Sequence, residues 1–191
     1  MKINLRFLKS AILAITGIAL FSCEGNYQDI QRLGRSDNAP IAIGEQVDVK
    51  YTDSGRVVTN LKAPLLHDFS NLDYPYQEFP KGVEVWFWNE ANEVSKVKAD
   101  YAIRYDQSSL VDLQDNVVLI TSDSLELMAD QVYWDQKNQW VFTDRPYRIR
   151  FKDGSYNDGQ GFDSNEDFTT FLSRANQGVQ LIDNNQENNG K

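Results

Sequence analysis

The chain has 191 residues, a length that allows one domain with a sizeable core and tails. Its single cysteine excludes a disulfide framework, and its single histidine excludes a metal site built from several histidines. The formal net charge of −9 at pH 7 argues against nucleic acid as a partner, because a phosphate backbone requires a basic binding surface.

The N-terminus has the pattern of a signal peptide over residues 1–22. Three basic residues precede an apolar run over residues 11–21, which is too short to span a bilayer comfortably. Cys23 follows the small residue Ser22, an arrangement similar to the lipobox of bacterial lipoproteins, and we predict that Cys23 carries a lipid anchor. An uncleaved signal anchor is the alternative.

The compartment and the charge of the mature chain follow from that cleavage. Removing residues 1–22 leaves 16 Lys and Arg against 28 Asp and Glu, a net charge of −12. Such a chain is expected to avoid lying along an anionic membrane surface. The polar residues 23–44 are predicted to form a flexible tether, and Glu24 favours the inner membrane over the outer membrane by analogy with acidic retention signals.

Alternating apolar residues predict a series of strands from residue 45 onward. The first two, residues 45–51 and 56–63, are joined by a turn in which Gly55 supplies positive φ. Residues 67–80 carry two prolines and no clear period, and they are predicted to form a loop or a bulged edge. Residues 82–88 read as a further strand that ends at a turn.

Residues 94–151 are predicted to form an antiparallel meander, because short alternating segments are separated by polar clusters. Residues 162–172 fit a last strand or a short helix, and residues 173–191 are predicted to be disordered. Small residues recur between strand pairs at separations of 36, 30 and 32 residues: Ala63, Ala99, Ala129 and Gly161. A small residue in each unit allows the sheet to bend, which predicts a rolled sheet around an apolar lumen.

The alternation also assigns side chains to the inside of this lumen. The predicted lipid-facing residues are Val49, Tyr51, Leu61, Val85, Phe87, Val97, Tyr101, Ile103, Val117, Leu119, Leu127, Val132, Trp134, Ile149 and Phe151. This assignment depends on strand register, since a slip of one residue inverts the face of a whole strand.

No arrangement of residues in the sequence predicts catalysis or a cofactor. His67 lies in an irregular stretch and is expected to be an edge or surface residue. Residues 153–159 resemble a calcium loop, but the glycine falls one place late and the closing glutamate is missing, so an ordinary turn is expected. The acid pairs Asp112 with Asp115 and Asp123 with Glu126 leave a glycosidase as a weaker alternative.

Three basic residues stand at alternate positions near the end of the meander: Arg148, Arg150 and Lys152. They could meet phosphates or an acidic partner surface. The interpretation we favour is a solvated outer face whose cations pair with acids on neighbouring strands.

The order and spacing of several motifs resemble those of the LptC family, with its OstA-like repeat. These are V-x-V-x-Y-x-D-S-G-R-V-V-x-x-L-x-A over residues 47–63, the segments K-A-D-Y-A-I-R-Y, L-Q-D-N-V-V-L and A-D-x-V-Y-W-D in the meander, and F-T-D-R-P-Y-R-I and G-Q-G-F-D-S after them. The resemblance implies an all-β domain over residues 45–172: a single antiparallel β-jelly-roll, or β-taco, with an apolar groove between two sheets. Gly55 and Gly161 fall where family glycines usually lie.

The resemblance also implies a non-enzymatic role in the periplasm without a cofactor. The domain would receive lipopolysaccharide from an inner-membrane ABC transporter and pass it to a periplasmic jelly-roll bridge, with edge strands pairing between partners. By that analogy, the strands near residues 47–63 would dock toward the transporter, and residues 161–172 toward the bridge. The alternative is a surface lipoprotein with a closed β-sandwich that binds a glycan or another ligand through exposed aromatic residues.

Overall fold

A computed structural model describes residues 39–181, which form twelve strands. The strands are β1 (Ala42–Asp53), β2 (Arg56–Asp68), β3 (Tyr76–Phe79), β4 (Val83–Trp88), β5 (Val94–Ala99), β6 (Tyr101–Tyr105), β7 (Leu110–Ile120), β8 (Glu126–Asp135), β9 (Trp140–Arg150), β10 (Tyr156–Asn165), β11 (Phe171–Ser173) and β12 (Asn176–Val179). The predicted all-β antiparallel jelly-roll is confirmed. Within residues 39–181, no helix has the length and apolar character that crossing a membrane requires.

All twelve strands belong to a single antiparallel sheet that folds over on itself into two layers. The long strands pass from one layer to the other. For example, β7 pairs with β6 through residues 110–114 and with β5 through residues 118–120. Layer A contains β3, β6 and β11, and layer B contains β4, β5 and β12. Strand β1 borders both layers, since it pairs along its length with β2.

The sheet folds where the long strands lose their regular register. In β7 the break falls at Asp115 and Asn116, which have φ values of 59° and 51°, and in β10 it falls at Gly161, with φ of 83°. An extra residue in one strand of an antiparallel pair bends that strand and increases its twist. Ala129 pairs with Val117 just after the break in β7, Ala99 precedes Asp100, and Ala63 lies on β2 opposite Val47. They are 9%, 1% and 4% exposed, so each small side chain is enclosed by its neighbours.

The core lies between the two layers and is mostly apolar, although the small polar side chains of Thr143 and Ser164 are fully buried as well, both at 0% exposed. Leu127, Ile149, Val117 and Val132 are at most 1% exposed, as is Phe162 near the β10 edge. Leu127, Ile149 and Val117 come from layer B, and Val132 comes from layer A. The folded sheet therefore buries its own two inner faces against each other, as a β-sandwich does.

Several boundaries in the described region differ from those that the sequence predicts, and β1 already begins at Ala42, inside the predicted tether. Residues 67–80 are not one loop: β2 continues to Asp68, and β3 pairs with both β2 and β6. Of the predicted disordered tail, residues 176–179 form β12 on β10. Residues 162–172 are not one last strand or a short helix: they hold the end of β10, a turn and the start of β11. In each case backbone pairing with a distant strand overrides a weak local pattern.

Glycine at position 161 is required by both its backbone angle and its surroundings. Its φ is 83°, and a Cβ atom placed there would lie 3.0 Å from the carbonyl oxygen of Thr143. Gly55 has nearly the same φ, 82°, but a Cβ atom there would meet nothing within 4 Å. Replacing Gly55 therefore measures only the free-energy cost of a left-handed backbone, whereas replacing Gly161 adds the cost of steric crowding.

We expect Gly55→Ala to lower the free energy of unfolding by about 1 kcal/mol, the cost of a left-handed backbone for an L-residue. Gly161→Ala should cost about 1–2 kcal/mol more, because the added methyl also displaces the neighbouring strand. Urea denaturation of both variants measures this difference. Equal losses would show that crowding at the β9–β10 bend is unimportant.

Candidate functional site

The inner face of layer B carries one continuous row of apolar side chains across seven strands. Strand register places them directly side by side, and every member was predicted to face inward: Val49, Leu61, Val85, Val97, Leu119, Leu127 and Ile149. The buried members Val97, Leu127 and Ile149 fix this face as the one toward the core. Alternation therefore assigned the face of layer B correctly from β1 to β9.

The remaining inward predictions surround this row. Val117 pairs with Ala129 at the bend, while Val132 and Trp134 face inward from layer A beside Leu113 and Val111. Tyr51 pairs with Thr59, which in turn pairs with Phe87, so Tyr51 and Phe87 share the inner face. Phe151 follows β9, is 43% exposed and lines a cleft of about 550 Å³ beside β12.

The predicted inward orientation of Tyr101 and Ile103 is wrong. Tyr101 pairs with Gln114 and Ile103 with Asp112, on the outer face of layer A. Their neighbour Ala102 points inward instead and is 1% exposed. The break at Asp100, between β5 and β6, adds one residue and reverses the faces of the strand that follows.

The inner face is accessible at the β1 edge and becomes closed toward β9. Along the row, Val49 is 55% exposed, Leu61 is half-buried, and Leu127 and Ile149 are 0% and 1% exposed. Tyr51, beside Val49, is 66% exposed. The rings of Phe87 and Trp134 are nearly perpendicular, with centroids 5.3 Å apart, so a contact between the layers closes the interior beyond β4.

Four aromatic rings, which we call the aromatic plug, fill the opposite end of the interior: Tyr147, Phe162, Phe168 and Phe171. Their centroids lie 5.1–6.4 Å apart in successive contacts. Phe168 reaches the plug from the turn after β10 with φ of 58°, an unfavourable backbone conformation for a bulky residue. Strand alternation did not predict the plug, although three phenylalanines within ten residues were a visible signal.

A cleft of about 590 Å³ lies at the bend of the sheet, between β2, β4 and the end of β5. Its lining mixes charges of both signs, including Asp48 and Lys62, whose charged atoms are 3.6 Å apart, and Asp100. Charged walls suit water better than hydrocarbon, so this cleft is a poor site for acyl chains.

The outer face of layer A holds a polar network around a buried carboxylate. Asp112 is 6% exposed and accepts hydrogen bonds from the side-chain amides of Gln114 and Gln131, at 2.7 and 2.8 Å. Tyr101 donates to Glu78 at 2.8 Å, and its pKa is raised well above the usual value because burial and this hydrogen bond both disfavour the phenolate. With both oxygens engaged, Asp112 is a structural group and not half of an acid pair.

His67 and the basic residues behave as structural residues of the sheet. His67 lies 3.2 Å from Glu78 and is half-buried. Arg148 contacts Asp158 through two hydrogen bonds of 2.6 and 2.7 Å, which hold the pKa of Asp158 below its usual value. Arg150 pairs with Glu126 at 2.9 Å. Both arginines therefore pair with acids on adjacent strands, as the favoured interpretation predicts.

The remaining predicted residues lie at turns or bends, or outside the part of the chain that the structure describes. Gly55 lies in the β1–β2 turn and Gly161 at the β9–β10 bend, both with positive φ. Residues 153–155 form an ordinary turn, in which the carboxylate of Asp153 accepts a hydrogen bond from the backbone N–H of Ser155. Cys23 and the predicted signal peptide lie outside the described residues.

The fold and the inner face together define a class of protein: a β-jelly-roll whose apolar interior is accessible at one edge. The model of a protein family described as "Lipopolysaccharide-assembly, LptC-related" matches residues 10–171, and the chain belongs to this LptC family. The suspected resemblance is thereby confirmed. The family consists of non-enzymatic lipopolysaccharide-transport components of the cell envelope, associated with the inner membrane and periplasm. No curated protein sequence matches the chain.

The positive φ of Phe168 predicts that glycine at this position gives a more stable protein than alanine does. Phe168→Ala should lower the free energy of unfolding by about 2 kcal/mol, since a half-buried ring is removed. Phe168→Gly should recover about 1 kcal/mol of that loss, because glycine tolerates positive φ. Thermal or urea unfolding of both variants provides the comparison.

Phe142 is the matched control, because it is a half-buried phenylalanine in the regular part of β9. There the order should reverse, with glycine about 1 kcal/mol worse than alanine. If glycine is also worse than alanine at position 168, then the backbone there is not left-handed in solution.

Proposed function

We propose that this chain carries the acyl chains of lipopolysaccharide on the inner face of layer B, next to β1, and passes them between neighbouring jelly-roll domains. The observation that supports this most is the inner row, whose side chains remain apolar while their exposure rises to 55% at Val49. Exposed apolar side chains that lie next to one another mark an interaction site more often than isolated ones do.

An open apolar face suits cargo that must also be released. Moving a CH₂ group from water onto such a face contributes roughly 0.8 kcal/mol, and moving it on to a similar neighbouring face gives up the same amount. Transfer between two such domains is therefore nearly neutral in free energy, and its direction must come from an energy-using partner. We propose that this partner is an inner-membrane ABC transporter.

The accessible part of the interior restricts where acyl chains would lie. Beyond the Phe87–Trp134 contact the core is packed, and Leu127 and Ile149 leave no surface for a ligand. Acyl chains would therefore lie against β1, β2 and β4, in contact with Val49, Tyr51 and Leu61. Acyl chains could reach the interior beyond β4 only if the two layers separated at Phe87 and Trp134.

The two edges of the sheet support the proposed partners. Among the described strands, β1 pairs with β2 alone, and its other side offers twelve residues of backbone for pairing with a partner strand. The opposite edge consists of β11 and β12, with three and four residues. We propose that β1 pairs with a jelly-roll of the transporter and that the β11–β12 edge pairs with the periplasmic bridge. Cys23 would hold the chain at the inner membrane.

A photo-crosslinking residue can test this assignment position by position in cells that make lipopolysaccharide. We expect adducts with lipopolysaccharide from positions 49 and 51, because Val49 and Tyr51 are exposed on the inner face. We expect none from position 149, where Ile149 is 1% exposed, and none from position 103, where Ile103 faces outward. Immunoblotting of the purified chain for lipopolysaccharide measures each adduct.

The opposite pattern would overturn the proposal. Adducts from position 103 without adducts from positions 49 and 51 would place the cargo on the outer face of layer A. If the full chain purified from such cells carries no lipid A but retains a saccharide, then the alternative of a glycan-binding module becomes the better interpretation.

A further inference from the structure

The outer face of layer B concentrates positive charge on an acidic protein. Residues 39–181 carry 13 Lys and Arg against 23 Asp and Glu. Two adjacent rows of this face hold six of those cations against four acids: Lys50, Lys62, Lys96, Lys98, Arg148 and Arg150. We call these rows the basic face, and their formal charge has the sign opposite to that of the described chain as a whole.

The acids of the basic face are matched one to one by cations. Asp48 lies 3.6 Å from Lys62, Glu84 lies 3.0 Å from Lys96, and the two arginines hold Glu126 and Asp158. Within the described residues, no ion pair engages Lys50 or Lys98, and both are exposed. These two lysines therefore supply an uncompensated positive charge to the face.

Apolar and aromatic side chains lie between the charges. The ring of Trp86 is flanked by Lys62 and Lys96, whose Nζ atoms are 5.5 and 5.0 Å from its centroid. Tyr156, 37% exposed, lies 5.3 Å from the guanidinium of Arg148, and Ile120 is 41% exposed. Lysine and arginine next to tryptophan and tyrosine form the combination found at membrane–water interfaces.

The geometry of the sandwich shields this face from the acids on the far side. Adjacent strands are about 4.8 Å apart, so the basic face is roughly 29 Å wide from β1 to β9. The two layers are about 10 Å apart, and the outer side chains of layer A lie further still. That separation exceeds the Debye length of about 8 Å at physiological ionic strength. A surface in contact with layer B therefore experiences mainly the charges of layer B.

We propose that the basic face docks on the surface of an anionic phospholipid leaflet. The lysines would contact lipid phosphates, and Trp86 and Tyr156 would lie at the level of the headgroups. This interaction uses the outer side of layer B, whereas the proposed acyl-chain site uses its inner side. Either one can fail experimentally without the other.

Lysine labelling of the full chain in vesicles tests the docking. The chain is reconstituted into vesicles of phosphatidylcholine alone or of phosphatidylcholine with phosphatidylglycerol, and an amine-reactive reagent labels its lysines for mass spectrometry. In the anionic vesicles, labelling of Lys50, Lys96 and Lys98 should slow roughly fivefold. The reason is that an anionic surface favours the membrane-bound over the free state of each nearby lysine by about that factor. Lys137, in the β8–β9 turn of layer A, should keep its rate. Salt of about 1 M should remove the protection, because the Debye length falls to about 3 Å.

Charge reversal supplies the matched variants. The double variant Lys50→Glu, Lys98→Glu should abolish the protection of Lys96. The control variant Lys137→Glu, Arg145→Glu changes the net charge by the same amount outside the basic face, and the protection of Lys96 should remain. Equal labelling rates in the two kinds of vesicle would overturn the proposal. It would also be overturned if Lys96 were protected only in vesicles that contain lipopolysaccharide, because the face would then bind the cargo's phosphates.

Discussion

The register breaks that fold one sheet into two layers are the constraint on which this structure depends. Each long strand contributes to both layers, so a strand must bend at the same level as its neighbours for the inner faces to meet. Small residues at 63, 99 and 129 and positive φ at Gly161 meet that requirement. Because the breaks insert residues, they also decide which side chains face inward after the bend.

Packing and accessibility oppose each other along the interior. On the β7–β10 side, buried leucine, isoleucine and valine residues and the aromatic plug stabilise the fold and leave no space for a ligand. On the β1 side, the same row of inward positions ends in exposed Val49 and Tyr51. The domain thus takes its stability from one part of the interior and leaves apolar side chains accessible in the other part, which a fully closed sandwich could not do.

The outer faces of the two layers differ in their polar and charged side chains. Layer A surrounds a buried Asp112 with amides and tyrosines, and burial together with the Asp112 charge raises the pKa of Tyr105. Layer B instead carries matched ion pairs with a surplus of lysine. Since the layers are further apart than the Debye length, these faces act as separate electrostatic surfaces. The net charge of the chain argues against contact with an anionic membrane, but it does not describe how charge is distributed between the two outer faces.

The sequence by itself determined the fold class, the family, the two key turn glycines and most of the inner face. A period of two is a local property, so alternation correctly placed one row of inward residues from Val49 to Ile149. Only the tertiary structure decided the outward orientation of Tyr101 and Ile103, the pairing of β3 and the plug of Phe168 and Phe171. The pairing of β3 with β6 and the contact of the plug with Tyr147 join residues far apart in the chain, while Tyr101 and Ile103 are reversed by the break at Asp100. A break in register, or a turn that folds back between two layers, changes a side chain's surroundings without changing its neighbours in sequence.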